Sequence, residues 1–235
     1  MNYATYPKKY IIMKKSFLFT LLFISIILQG ACQSNTKKEA SSQTKLAPVQ
    51  VESQDGFKRA YFASGCFWCM EAIYESVKGV NESISGYSGG HTDNPTYEDS
   101  NTGRTGHAEA VEIIYNPDII SFKQLVDVYF GTQNITQVNG QGPDKGTQYR
   151  SIIFYQNEEE KKIIDEKISY LNKQLGDKKV AAEVYPFQKF WIAEEYHQNY
   201  ERLHPENPYV QNVSIPRLKR FQQNFPYLLK ETAKH

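Results

Sequence analysis

Phe57-Lys58-Arg59-Ala60-Tyr61-Phe62-Ala63-Ser64-Gly65-Cys66-Phe67-Trp68-Cys69-Met70-Glu71 is the stretch on which the fold of this chain turns. Residues 57–63 alternate loosely and are rich in aromatics, as strands are. Gly65 supplies a turn, and residues 70–77 read as a helix that Gly79 ends. Cys66 therefore falls at or just before a helix N-terminus. There, unpaired N–H groups and the helix dipole favour thiolate over thiol, so a lowered pKa at Cys66 is expected. Phe67 and Trp68 beside it suggest a small apolar socket, and Cys69 adds a second thiol three residues on.

The pattern continues on the C-terminal side. Residues 80–87 and 108–115 read as strands, the second stopped by Asn116-Pro117. Between them, residues 91–106 are dominated by Asp, Asn, Pro, Thr and Gly and read as a loop. Phe122, Leu125, Val126 and Tyr129 recur at helical spacing within 121–130. A second glycine-rich loop spans 131–148, and loops this long in a compact domain are commonly functional. Residues 149–155 read as a strand, Ile164, Ile168, Leu171 and Leu175 mark a helix face, and 181–185 read as a last strand. The order β-α-β-β-α-β predicts an α/β (α+β) fold: a two-layer α/β plait with a ferredoxin-like core, long loops and a C-terminal extension, over residues 56–235.

Ahead of that domain, Lys8, Lys9, Lys14 and Lys15 precede an apolar run from Phe17 to Leu28, broken only by Thr20 and Ser25. The run is short for a membrane span, which needs ~20 residues, and fits a secretory signal. Leu28-Gln29-Gly30-Ala31-Cys32 resembles a bacterial lipoprotein signal, with Cys32 as the lipidated residue and Gln29 where an aliphatic residue is usual. Residues 1–32 are thus expected to be an export segment, and polar residues 33–55 a flexible tether to a membrane. The expected location is the cell envelope. Net charge over the 235 residues is +1, which gives no electrostatic case for a nucleic-acid partner. Three cysteines, at 32, 66 and 69, are too few and too clustered for a disulfide framework.

The pair Cys66-x-x-Cys69 is open to several readings. Half of a zinc site is poorly supported, since no second cysteine pair and no His pair at zinc-finger spacing exists. A thioredoxin-type redox pair also sits at a helix start, although Phe67-Trp68 is a bulky insert for one. A third reading draws on more of the chain. Gly65-Cys66-Phe67-Trp68-Cys69-Met70-Glu71 resembles the signature of the A-type peptide methionine sulfoxide reductases. Gly86-Tyr87-Ser88-Gly89-Gly90, Asn94-Pro95-Thr96-Tyr97, Gly106-His107-Ala108-Glu109-Ala110-Val111, Gly142-Pro143-Asp144 through Tyr149-Arg150, and Ala193-Glu194 through Tyr196-His197-Gln198 stand in the same family order. Several motifs in register are far more specific than one.

That resemblance implies reduction of the S-epimer of methionine sulfoxide in oxidised proteins or peptides. Cys66 thiolate would attack the sulfoxide sulfur, leaving a Cys66 sulfenic acid and methionine. Glu109 would be the acid, which requires a raised pKa. Tyr97 and Tyr149 would hydrogen-bond the sulfoxide oxygen. Phe67 and Trp68 would cradle the methyl group, and Asp144 would support the site or the resolving step. His107 and His197 read as structural hydrogen-bonding residues. Many relatives carry recycling cysteines near the C-terminus, some as Pro-Tyr-Cys, where this chain has Pro208-Tyr209-Val210 and no cysteine after Cys69. Cys69 is therefore the candidate resolving thiol, with a thioredoxin-like reductant as partner. Where many relatives show His-Asp-Pro, this chain has Gln133-Asn134-Ile135. No metal, flavin or nicotinamide is expected, and neither is an oligomer. The rivals are a general dithiol oxidoreductase and a surface lipoprotein that binds methionine-rich partners.

Overall fold

β1 (Lys58–Ala63) is the strand that opens the domain, and its last four residues are buried. It lies antiparallel to β3 (Ala108–Tyr115) on one side and to β6 (Ile152–Tyr155) on the other. The computed structural model describes residues 46–233. Beyond β3 comes β2 (Val80–Ser88), so the central order β6-β1-β3-β2 is that of a ferredoxin-like plait. β7 (Glu183–Pro186), parallel to β6, and β8 (Phe190–Ile192), antiparallel to β2, extend the two edges to six strands.

Two helices close one face. α1 (Phe67–Glu75) buries Met70, Ile73 and Tyr74, and α3 (Phe122–Gly131) buries Leu125, Val126 and Tyr129. Phe62 of β1 ties them together: its ring lies 5.5 Å from Tyr74 and 5.3 Å from Tyr129. Each such fully buried apolar side chain stabilises by about 1.5–3 kcal/mol relative to exposure. α3 starts sharply because Ser121 and Gln124 form a reciprocal capping box. α4 (Glu158–Gln174) is capped by Asn157, carries three glutamates in its first turn where the helix dipole favours them, and reaches α3 through Lys167–Asp127 at 2.6 Å. On the opposite face of β1, Tyr61 stacks on Phe187 at 3.7 Å.

Several sequence expectations are corrected. Part of the predicted tether is docked on the domain: Val49 N–H donates to the Phe187 carbonyl and Val51 N–H to Gln156 Oε1. The predicted 91–106 loop contains α2 (Tyr97–Asn101), capped by Thr96 and Asp99. Tyr149 closes a 3₁₀ turn over residues 147–149 rather than starting a strand, and β6 begins at Ile152. β8 and the C-terminal helices α5 (Tyr200–Leu203) and α6 (Ile215–Asn224) lie outside the sequence expectations. The export segment 1–32, with Cys32, and tether residues 33–45 lie outside the described residues. Among the described residues no helix is long and apolar enough to cross a membrane.

The β2–β8 pairing depends on Gly86. A Cβ there would meet the Phe190 ring and the Trp191 carbonyl, both at 2.3 Å. Gly86→Ala is expected to cost about 1–3 kcal/mol through forced backbone shifts, read as a fall in the midpoint of urea unfolding.

Candidate active site

Gly65 makes the site possible. Its φ of +70° is open to glycine at little cost, and its N–H donates to the Tyr149 carbonyl at 3.1 Å. The turn delivers Cys66 to the N-cap of α1, as the sequence predicts. The Phe67 N–H, one of the free donors at that helix end, is taken by Glu109 Oε2 at 3.0 Å. Glu109 reaches it from β3, where it pairs across from Tyr87. Alternation alone does not say which face of β3 is covered; Glu109 is only 2% exposed. Burial is the main cause that raises its pKa to about 8, outweighing the Phe67 hydrogen bond, with Asp144 and Cys69 pushing the same way.

The thiols reverse one expectation. Both are reduced and buried. Burial, together with the neighbouring Cys69 and Glu109, pushes the Cys66 thiol well above its ordinary value. Cys69 is instead lowered to about 6, chiefly because Cys66 donates a hydrogen bond to it, against the cost of burial. The Arg217 guanidinium adds to that lowering. The pair therefore shares its first negative charge, with Cys69 the side that favours it. The helix dipole loses to desolvation because the Phe67 N–H already serves Glu109.

Two phenols complete this cluster. Tyr97 opens α2, and its N–H donates to Glu194 Oε1 at 2.9 Å, while Tyr87 Oη donates to Glu194 Oε2 at 2.9 Å. Tyr149 sits on the 3₁₀ turn, which Arg150 pins by donating to the Gly106 and Thr147 carbonyls, each at 2.9 Å. Both phenols are raised, first by burial and then by charges that include Glu109 and Cys66. They are protonated donors at any ordinary pH. Asp144 lies on β5 (Asp144–Lys145), paired with β4 (Gly140–Gln141). It accepts from Tyr209 Oη at 2.6 Å, and the Cys66 backbone amide pulls its pKa down, yet partial burial still raises it.

Phe67 is buried among the rings of Trp68, Tyr87, Tyr97 and His197. Trp68 is partly exposed and fixed from two sides: Tyr200 stacks on it at 3.7 Å, and its Nε1–H donates to His197 Nδ1 at 3.1 Å. His197 is thereby a positioning residue, held by Trp68. His107 is structural as well, accepting from the Gly90 N–H and bonding the Thr92 carbonyl. Gln133 accepts from Ser64 and Ser151, each at 2.7 Å, so the Gln133-Asn134-Ile135 loop is anchored behind the glycine turn.

Sequence reasoning misses Arg217 and Tyr209. Arg217, buried on α6, donates to the Thr132 and Ser64 carbonyls beneath the nucleophile turn and faces Cys69. Its signal would have been a lone arginine in an amphipathic C-terminal helix, which reads as surface. A cleft of about 400 Å³ opens on this side, with Cys69, Gln141, Asp144 and Arg217 in its walls.

A pair of reduced thiols beside a carboxyl kept neutral by burial is chemistry suited to a thiol-dependent oxidoreductase. The family model for peptide methionine sulfoxide reductase matches residues 58–228. "Peptide methionine sulfoxide reductase MsrA" of Saccharolobus solfataricus is 48% identical over 171 residues, which cover 73% of this chain and 96% of the relative. The protein of that name from Pasteurella multocida is 43% identical over 74% of this chain and 99% of its own length. The crystal structure of Mxr1 from Saccharomyces cerevisiae in reduced form aligns with a TM-score of 0.60 and 31% identity, over 69% of this chain and 93% of that one. The chain belongs to the peptide methionine sulfoxide reductase family.

Proposed function

We propose that this protein reduces the S-epimer of methionine sulfoxide, in oxidised proteins or free, with Cys66 as nucleophile and Glu109 as acid. The observation that carries the reading is Glu109: buried, 3.0 Å from the Phe67 N–H next to Cys66, and protonated up to about pH 8. As Cys66 sulfur attacks, its proton passes to the Cys69 thiolate. Glu109 protonates the sulfoxide oxygen, Tyr97 and Tyr149 donate hydrogen bonds to it, and Phe67 with Trp68 holds the methyl side. The oxygen leaves on Cys66 as a sulfenic acid, and methionine departs. Cys69 then attacks the Cys66 sulfur, displaces water and forms a Cys66–Cys69 disulfide, which a thioredoxin-like dithiol reduces.

The sequence of residues 1–32 supports export and tethering through a lipidated Cys32, so the clients would be proteins of the cell envelope. The chemistry is tested by offering the whole chain, with dithiothreitol, each epimer of a blocked methionine sulfoxide. Consumption of the S-epimer alone is expected. Turnover of protein disulfides without sulfoxide loss would instead identify a general dithiol oxidoreductase. For the second thiol, Cys69→Ser is expected to release one equivalent of methionine and then stall with a thioredoxin; normal recycling would remove Cys69 from the cycle.

A further inference from the structure

The resolving step carries a proton problem. Once the Cys66 proton has passed to Cys69, that thiol must lose it again before it can attack the sulfenic sulfur. Cys69 is 1% exposed at the wall of the cleft, so little water touches it and an acceptor fixed in the protein has the advantage. The charged and titratable groups facing it are Cys66, Tyr209, Arg217, Glu109 and Glu201. Arg217 cannot accept a proton. Glu109 has just given its proton to the sulfoxide oxygen, and it stands against the Phe67 N–H beside Cys66. Glu201 already accepts a hydrogen bond from the Ser214 hydroxyl.

Tyr209 is placed differently. Its hydroxyl oxygen lies 3.9 Å from Cys69 Sγ, within reach of a thiol hydrogen bond, and donates to Asp144 Oδ2 at 2.6 Å. A phenol has one proton to give and lone pairs to accept with, so it can take from the thiol while giving to the carboxylate. The ring is held independently of this work. Its edge meets the Trp68 face at 6.0 Å, and its N–H donates to Asn207 Oδ1 at 2.8 Å. The Cys66 backbone amide also acts on Asp144, so the carboxyl stands near the residue from which the hydroxyl must leave.

We propose that Tyr209 positions Cys69 for the resolving step and relays its proton to Asp144. The inference rests on Cys69 being the resolving thiol. In the step, the Cys69 S–H proton passes to the phenol oxygen as the phenol proton passes to Asp144. The Cys69–Cys66 S–S bond forms, the Cys66 S–O bond breaks, and Asp144 returns the proton to the departing hydroxide, which leaves as water. Tyr209 ends the step as it began.

The test is one turnover without reductant, quenched over time, following methionine release and the Cys66–Cys69 disulfide separately in wild type and Tyr209→Phe. Phenylalanine keeps the ring packed on Trp68 and removes only the hydroxyl. Disulfide formation is expected to slow by roughly ten- to a hundredfold, with methionine release slowed far less. Below neutral pH the variant rate should rise with pH where wild type is flat, since solvent must now remove the proton. A variant that forms the disulfide at the wild-type rate, or slows with an unaltered pH profile, overturns the relay. Absence of any Cys66–Cys69 disulfide in wild type overturns the resolving role of Cys69 itself, and the relay with it.

Discussion

Glu109→Gln is expected to lower the rate of oxygen transfer by roughly a hundred- to ten-thousandfold while making the protein more stable in alkaline solution. The amide keeps the size of the side chain and an acceptor for the Phe67 N–H, which the carboxylate holds at 3.0 Å, but it has no proton to deliver. The pH dependence carries the sign. Wild type needs one negative charge on the Cys66–Cys69 pair, reached above about pH 6, and Glu109 protonated, below about pH 8. Its kcat/KM should therefore be bell-shaped between those limits, and the alkaline limb should vanish in the variant.

Stability moves the other way. Glu109 holds its proton up to about pH 8 when folded but loses it near 4.5 when unfolded. Between those values the folded state binds more protons, so wild-type stability falls as pH rises and stays reduced above 8. The variant has no such loss and should be more stable by about 2–4 kcal/mol above pH 8, allowing for its extra buried amide donors. Urea unfolding at pH 5 and pH 9 checks this. Equal stabilities at pH 9, or an alkaline limb retained by the variant, would show that Glu109 is not the buried acid.

Cys66→Ser is expected to abolish methionine formation while leaving the second thiol ionised. A serine hydroxyl is a far poorer nucleophile toward the sulfoxide sulfur, but it still donates a hydrogen bond from the N-cap of α1 toward Cys69. Arg217, Ser214 and Tyr209 still face that sulfur. Thiolate absorbance should thus persist in the variant, with a midpoint below that of an ordinary thiol. Methionine release by Cys66→Ser would make Cys69 the attacking sulfur. Loss of the low thiolate midpoint would mean that a thiol at position 66, beyond a simple donor, is needed to hold the charge.

What could be read from the chain divides along physical lines. β1, the Gly65 turn and α1 were legible because each depends on neighbours in sequence: alternation, one glycine and one apolar face. The plait order followed from the succession of such elements. The ionisation of the thiols was not legible, since the helix-end argument counts free N–H groups and cannot see that Glu109 arrives from another strand to take one. Tyr209 and Arg217 come from 140 and 148 residues beyond Cys69 in a segment with no distinctive pattern. The docked arm at 47–54 escaped for another reason: it is held through backbone N–H and C=O groups, which every sequence has.

One small hydrogen bond sets the scale of the whole arrangement. The Gly65 N–H and the Tyr149 carbonyl join the turn that presents the sulfur to the turn that presents a phenol, backbone to backbone. The spacing between the two turns is then set by peptide geometry, and the Cys66 and Tyr149 rotamers work outward from that common base. Such a base resists drift: substitutions elsewhere in the aromatic socket can reshape its walls while leaving the register of the two turns untouched.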